Sequence, residues 1–473
     1  MRRAVLVATV LVPMVLGAQR PAERRCQFEL VSSDRELVRQ EFGTNVNLFV
    51  GGNVRLRCIG QNVRLEGDSV ESFNQQVIRV MTRARYVDQD IDLRADTLTY
   101  TAADERLIAR GSVRIVNRLN GSTLDGTSVD YLRAVKGIRD SAEVTAINRP
   151  TIRFAPSKDA GDTVTPTPYV VVADRFRGTG SSLLWGWGGV TIDRDSLRGR
   201  GDSLRYVSST DTEIDLFGNL ASFRREGADS FEVIGRQVVL GVAGEVLRRV
   251  RAYGEGRVRR AESDAKGDSV ALAFTDGKLE RTIAWGRASG AEVRSGGYDI
   301  FGDSVDVVTP GERLRELVVV GRGVLKSPLD SAAAADSAVV ARPDSTVADS
   351  VAADSGAVPT RDRDTLWGNQ IRATFEDVDS AGTLVSRPRL ITAHGEARSL
   401  FSRLVEKDGT TSPSITYTRA DTILIYMKGG DSTGVSRVVA IRGGEPVDGV
   451  QLEQASLGRQ RPSLGAARRE EQP

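Results

Sequence analysis

The sequence predicts an all-β chain, built as a repeating array of short antiparallel strands. Three observations carry this. Apolar residues alternate with Arg in Val54–Ile59 (VRLRCI) and Val113–Val116 (VRIV), the period of two that gives a strand one buried and one wet face. Gly, Asn and Asp interrupt such runs roughly every 8–12 residues, a spacing that suits a sandwich, barrel or roll rather than βαβ units. The chain also resembles itself, and repeated units bury a core only by stacking on one another.

At the N-terminus, Arg2 and Arg3 precede an apolar run from Ala4 to Gly17 that ends near Ala18–Gln19. This is the layout of a secretory signal peptide, placed at 1–18. Fourteen residues span roughly 21 Å as a helix, short of a ~30 Å hydrocarbon core, and Pro13 interrupts them. An uncleaved anchor is the alternative. Export implies an oxidising compartment, in which Cys26 and Cys58, the 2 cysteines of the chain, are candidates for a disulfide. It closes a loop of about 32 residues, nominally worth ~3–4 kcal/mol in unfolded-state entropy. The alternative is two unpaired thiols, with Cys58 packing as a small apolar residue.

The strand region follows. Further alternating runs are Ile91–Leu98 and Ile415–Arg419, while Asp34–Glu41 (DRELVRQE) has a mildly helical pattern. A phrase (Gly/Ala)-Asp-(Ser/Thr)-(apolar) recurs at 67–70, 95–98, 201–204, 228–231, 267–270, 302–305 and 420–423. A second phrase, Gly-x-(apolar) after an apolar run, recurs in 107–115, 214–223, 251–258 and 316–325. The Asp-Ser pairs read as turn formers whose side chains bond nearby backbone N–H groups. A Ca²⁺ shell requires several clustered oxygens, and each repeat offers one carboxylate beside a hydroxyl. Residues 329–362 are an acidic Ala/Ser/Asp segment without aromatic residues, expected to be a disordered linker. A C-terminal β-strand module is expected at 363–447 and a flexible tail at 448–473.

Residues 91–131 (IDLRADTLTYTAADERLIARGSVRIVNRLNGSTLDGTSVDY) resemble the OstA-like repeat of lipopolysaccharide-transport proteins, the family of LptA-like periplasmic proteins. The residues that carry the resemblance are Ala95, Asp96, Tyr100, Ala109, Gly111, Val113, Gly126 and Tyr131, with weaker echoes at 201–220 and 267–325. The resemblance implies an OstA-like β-jellyroll array, open and V-shaped or solenoid-like in section, with one jellyroll at 19–160 and a second at 161–328. It further implies a periplasmic, non-enzymatic bridge. The implied cargo is lipopolysaccharide or a related multi-acyl lipid, moved along an apolar interior toward the outer membrane. The implied partners are other OstA-like components at the inner and outer membranes, joined by edge-strand stacking. The inward, lipid-groove residues are expected to be Val54, Leu56, Ile91, Leu93, Leu107, Val113 and Ile115. The same residues packing against one another in a closed core is the alternative at each position. For Asp96 and Gly111, duties at turns and strand starts are expected.

Composition removes much other chemistry. With 65 Lys plus Arg against 63 Asp plus Glu, the net charge of +2 offers no bulk attraction for nucleic acid. A single His, His394, excludes a His-rich metal cage and is read as structural or exposed. No metal or cofactor is expected. The sequence has no phosphate loop and no HExxH motif. Carboxylates are abundant, but no spacing singles out a catalytic pair. Trp185 and Trp187 are expected to fill a core or junction, with a sugar-stacking or membrane-interface edge as the alternative. A closed structural β-solenoid scaffold and a carbohydrate-active β-helix enzyme remain as rival readings.

Overall fold

The structure is a computed structural model that describes residues 26–154, 167–208, 212–227, 230–243, 246–261, 263–287, 290–327, 364–380, 383–407, 410–428, 435–447 and 450–453. The signal peptide expected at 1–18 and the linker expected at 329–362 lie outside them. The described chain is an all-β, jellyroll-like array of antiparallel strands without an α-helix; Pro310–Glu312 forms one 3-10 turn. Residues 26–154 and 172–185 belong to one compact unit, and 167–171 with 186–453 to a second.

The first unit contains β1 (Phe28–Ser32), β2 (Val38–Phe42), β3 (Asn45–Cys58), β4 (Arg64–Phe73), β5 (Val77–Val87), β6 (Ile91–Thr101), β7 (Arg106–Asn117), β8 (Thr123–Leu132), β9 (Glu143–Ile147) and β10 (Thr151–Phe154). β11 (Tyr169–Val172) follows, and β12 (Arg175–Thr179) pairs with β9. From β3 to β8 each strand pairs with the next. Each is long, and each shifts register near its middle: at Gly51/Val54, Glu66/Ser69, Met81/Ala84, Arg94/Thr97 and Arg110/Val113. Bulges bend a strand and sharpen its twist. Repeated at the same level in successive strands, they make a crease that folds the sheet into two leaves. The first leaf carries β1, Val54–Cys58 and the hairpin turns at 59–63, 88–90 and 118–122. The second carries β2, Asn45–Gly51 and the turns at 74–76 and 102–105.

The apolar faces of both leaves are turned inward. One cross-strand row of the first leaf runs Leu56, Leu65, Tyr86, Leu93, Ile115, Leu124, Ile152, and all seven are buried. Beside the crease, the second leaf carries Val50, Val70, Val80, Leu98, Ala109, Val129, Ala146 and Phe176 in register, again all buried. The outward faces hold Arg beside carboxylates, as in Arg85 with Asp92 at 2.6 Å. Such exposed pairs add little stability each but keep the outside wet.

The recurring phrases are the crease. Asp96 accepts a hydrogen bond from the Ser112 N–H (3.0 Å) beside Gly111, Asp202 from the Asn219 N–H (3.3 Å) beside Gly218, and Asp268 from the Arg287 N–H (2.7 Å) beside Gly286. Asp421 takes the Gly443 N–H (2.8 Å). Asp68 and Asp303 instead take guanidinium N–H groups of Arg83 and Arg322 (2.9 and 2.8 Å), both at positive φ. Asp229 of the same phrase lies outside the described residues. The expectation that these carboxylates form turns, and that Asp96 and Gly111 start strands, is corrected: they sit within the ladder. Asp68, Asp96, Asp202 and Asp303 each brace a bulge in a strand that follows by 15–19 residues, whereas Asp268 holds the break between strands after Trp285 and Asp421 the hairpin turn at 443–444.

Two further expectations change. Residues 38–41 of the segment read as mildly helical lie in β2, which pairs along its length with Phe49–Asn45 of β3. A helix that short is marginal alone, and the edge of β3 supplies a full ladder of backbone partners. Val450–Glu453, placed in the flexible tail, forms a strand paired with residues 414–417.

The second unit repeats the creased ladder. After β13 (Leu183–Arg194) come β14 (Leu197–Val207), β15 (Thr212–Arg225), β16 (Phe231–Ala243), β17 (Val246–Arg260), β18 (Ser263–Thr275), β19 (Lys278–Trp285), β20 (Ala291–Ser295), β21 (Tyr298–Gly302), β22 (Ser304–Val308) and β23 (Glu316–Lys326). β24 (Thr365–Ser380), β25 (Thr383–Lys407), β26 (Thr410–Met427), β27 (Val435–Arg442), β28 (Glu445–Val447) and β29 (Val450–Glu453) complete it. β23 pairs directly with β24, so the ladder continues into the region expected to be a separate C-terminal module. Its inner row beside the crease reads Val238, Ala252, Val270, Ala284, Val305, Val319, Ile371, Ala393, Ile423, Ala440, all buried.

Candidate functional site

The seven expected groove residues all lie on the inner surface of the first unit. Val54, Leu56, Ile91, Leu93, Val113 and Ile115 belong to the first leaf; Leu107 faces them from the second. Their exposure is 0–8%, so the leaves meet over them. An acyl chain here requires the leaves to part. Cys26 and Cys58 are joined as a disulfide, with Cα atoms 5.5 Å apart.

Opposite the crease, the rows of hairpin turns form a mouth, and in the first unit a buried polar seam closes it. Glu105, in the β6–β7 turn of the second leaf, is 3% exposed. Its Oε1 accepts the backbone N–H of Cys26 from the first leaf (2.7 Å); its Oε2 accepts the Tyr100 hydroxyl (2.7 Å) and Arg133 Nη2 (3.0 Å). Arg133 Nη1 crosses the mouth to Gln61 Oε1 (2.6 Å). Asp88, in the β5–β6 turn of the first leaf, accepts Tyr86 OH (3.0 Å) and, from the second leaf, Tyr131 OH (3.2 Å). Its other oxygen takes the N–H groups of Asp90 and Ile91 at 2.8 Å each. Phe28 packs edge-on against Tyr100, with ring centroids 5.1 Å apart.

The electrostatics follow from burial. Burial, reinforced by Asp88, holds the Tyr86 phenol well above its ordinary range. Tyr100 is raised by burial and by its hydrogen bond to Glu105, and Tyr131 by burial and Asp88. Burial works against the charge on Arg133, but Glu105, Tyr86 and Tyr100 together outweigh it and the guanidinium is held above its ordinary value.

In the second unit the leaves stand apart over part of their length. A cleft of about 560 Å³ lies between Val258, Ala265 and Val293 of one leaf and Leu279 and Val307 of the other, within the size range of small-ligand sites. Arg260, paired with Glu312 (3.2 Å), and Asp264 and Arg313 also line it, and the exposed Leu384 and Val385 flank it. Alongside, Arg225 reaches across to the Gly277 carbonyl (2.9 Å) and lies over the Phe231 and Phe274 rings (5.2 and 5.6 Å). A second cavity of about 520 Å³ at the crease is rimmed by ion-paired Lys266, Asp303 and Arg322, a lining unsuited to an acyl chain.

His394 is exposed, with its Nδ1 3.0 Å from Thr422 Oγ1. Trp185 and Trp187 are half-buried and alternate with the buried Leu184 and Gly186, which puts them on the face opposite the core. Among the described residues no group of three or more His, Cys, Asp or Glu could hold a metal ion, and no helix is long and apolar enough to cross a membrane.

Sequence reasoning did not single out Asp88, Glu105 or Arg133, because each sits in or beside a turn where charged residues are ordinary. The available signal was three tyrosines, Tyr86, Tyr100 and Tyr131, at inward positions near strand ends, where a buried hydroxyl needs a partner. No protein-family model and no curated protein matches this chain.

Proposed function

We propose that the chain is a non-enzymatic periplasmic lipid-binding bridge that carries lipopolysaccharide or a related multi-acyl lipid between the leaves of its creased sheets, toward the outer membrane. The observation that carries this reading is the apolar inner row of each unit, unbroken by charge from strand to strand beside the crease. In the second unit the leaves also part over a cleft of about 560 Å³, where Val258, Ala265, Leu279, Val293 and Val307 face one another and Arg260, Asp264, Glu312 and Arg313 share the lining. An acyl chain gains ~0.8 kcal/mol for each CH₂ it buries, and it needs a path with no polar interruption. The low aromatic content, 5%, suits a smooth slot better than a sugar-stacking platform. Energy for directed flow comes from a partner's nucleotide hydrolysis. Joining to OstA-like neighbours uses the outer edge formed by β1 and β2. Both pair only with β3 among the described strands, and they expose Val31, Val38 and Phe42. Such an edge is a template for β-augmentation.

The test is photocrosslinking in a Gram-negative periplasm, with the photoreactive residue at position 293 in the cleft and, separately, at position 113. Organic extracts are then analysed by mass spectrometry. Lipid A or another multi-acyl species attached at 293 supports the reading. A folded protein free of lipid at both positions overturns it and leaves the closed scaffold, which the near-complete burial of the seven first-unit residues favours.

A further inference from the structure

We propose that residues 26–28, anchored by the Cys26–Cys58 disulfide, form a thiol-releasable clasp that holds the mouth of the first unit shut. The proposal rests on the lipid-bridge reading for its purpose, control of access to the interior, but not for its mechanics.

The mechanics follow from where the two ends of the clasp lie. Cys58 closes β3 on the first leaf, and the disulfide fixes Cys26 to it. β1 pairs with the same leaf from Phe28↔Cys58 onward, and the Ile59 N–H bonds the Gln27 carbonyl (2.8 Å). Two groups of this short segment then reach over to the second leaf. The Cys26 N–H donates to Glu105 Oε1 (2.7 Å), and the Phe28 ring meets the edge of Tyr100. Glu105 is buried, so its charge depends on every donor it has. One of its three donors comes from across the mouth, and the disulfide keeps that donor in place. Gln61, in the turn just beyond Cys58, adds the parallel crossing to Arg133 (2.6 Å). Three links therefore converge on one short stretch of mouth, with a single covalent bond behind the central one.

Release requires a dithiol. Its thiolate attacks one sulfur of the Cys26–Cys58 bond, a mixed disulfide forms, and the second thiol of the reductant displaces the remaining cysteine thiolate. Two thiols appear on the chain and one cyclic disulfide on the reductant, with two electrons and two protons transferred. Both cysteines are buried, at 3% and 1% exposure, so the exchange follows local fraying of the strap and is slow in the closed form. Once cut, Cys26 is held by backbone pairing alone. The Glu105 donor is then lost in the frayed state, and the lips over Tyr100, Leu107 and Tyr131 separate. The apex of the fold, Val80, Leu98, Ala109 and Val129, does not depend on the clasp.

The experiment is hydrogen–deuterium exchange on the full chain, oxidised and after treatment with dithiothreitol, read together with fluorescence of the apolar probe N-phenyl-1-naphthylamine. Loss of one hydrogen bond to a buried charge shifts a local opening equilibrium about tenfold or more. Reduction is expected to speed exchange about that much in peptides covering residues 100–107 and 131–133, while those covering the apex residues stay protected. Glu105→Gln is expected to do the same with the disulfide intact, so the result does not rest on cysteine variants that fail to fold. Probe uptake on reduction supports both the clasp and the lipid reading; an opened mouth without uptake supports the clasp and counts against the lipid path. Unchanged exchange at the mouth overturns the proposal. So does loss of apex protection in step with the mouth, because the disulfide then holds the whole unit rather than a clasp.

Discussion

Replacing Gly111 by Ala tests whether the recurring Asp and Gly phrases are one device. Gly111 has φ +97°, a conformation that strains any residue with a Cβ. A Cβ built there falls 2.1 Å from Asp96 Oδ2 and 2.5 Å from its Cγ, so the carboxylate must leave and the Ser112 N–H bond goes with it. Backbone strain contributes about 1–2 kcal/mol and the lost hydrogen bond about 1 kcal/mol; relief of the clash adds to both, for a total of roughly 3–4 kcal/mol. Asp96→Ala alone removes only the hydrogen bond, whose N–H is near solvent, and costs about 1 kcal/mol. In the double variant the contacts with Oδ2 and Cγ are gone, but the Cβ of residue 96 still lies 2.6 Å from the new Cβ, so part of the clash stays. It retains the strain, the lost bond and that part of the clash, but loses the bond only once and sheds the carboxylate's share of the clash, so it is more stable than the sum of the single effects by about 1–2 kcal/mol. Hydrogen exchange of the apex amides Val80 and Val129, converted to local free energies, reads all three variants. Additive single effects, or a Gly111→Ala cost below about 1 kcal/mol, refute the idea that Asp96 and the Gly111 bulge are shaped for each other.

Other predictions follow from the seam and the core. Tyr86, Tyr100 and Tyr131 keep their protons in the folded state above the ordinary phenol value of about 10, where the unfolded chain loses them. The stabilisation is full below pH ~10 and falls as pH rises, by about 1.4 kcal/mol per pH unit for each tyrosine. Alkaline unfolding followed by circular dichroism is expected to lose about a third of its steepness in each single Tyr→Phe variant. Asp92 is held below the usual carboxylate range by its hydrogen bond to Arg85, a contribution present above pH ~4 and lost as pH falls through the lowered value. Arg85→Gln is expected to return Asp92 toward the ordinary value in a carbon-13 NMR titration. Leu93→Ala, at a fully buried position, is expected to destabilise the first unit by about 2–5 kcal/mol in hydrogen exchange. Val113→Asp buries a carboxylate at a site 2% exposed, so it disrupts the first unit as well as any lipid path. Leu384→Asp at the rim of the cleft is the cleaner block, expected to lower crosslinking at position 293 with unchanged thermal stability.

The all-β class was legible because the period of two survives in nearly every strand, and the inward set from Val54 to Ile115 was legible for the same reason. The crease was half legible. Both phrases stood out in the sequence, but the partner of Asp96 is Ser112, 16 residues away, and nothing local links the two. Asp and Gly therefore read as turn formers, when what fixes them is a bulge on the neighbouring strand. The same locality hid β2, where side-chain spacing favours a helix and the edge of β3 overrides it. The seam was illegible for a deeper reason. Glu105, Arg133 and Asp88 are brought together by folding one leaf onto the other, and sequence separations of 43 and 79 residues, for Asp88 with Tyr131 and for Cys26 with Glu105, carry no periodic signature.

The two units present an apolar chain with different thermodynamics. In the second unit the leaves already stand apart at the cleft. A chain of about ten methylenes entering it displaces no side-chain contact and gains at most ~8 kcal/mol from leaving water, less the cost of desolvating Arg260, Asp264, Glu312 and Arg313 in the lining. In the first unit the leaves are in contact, so the same chain must replace packing already made. Its net gain is the transfer term less the dispersion and burial lost as Leu93, Leu107 and their neighbours separate, together with the hydrogen bonds of the seam. The first unit is therefore the poorer site until its mouth opens. Titration with a multi-acyl lipid is expected to label position 293 at lower lipid concentration than position 113, and reduction of the disulfide is expected to narrow the gap. Equal labelling at both positions in the oxidised protein means that the leaves of the first unit part freely, and the seam of Glu105, Arg133 and Asp88 then imposes no barrier.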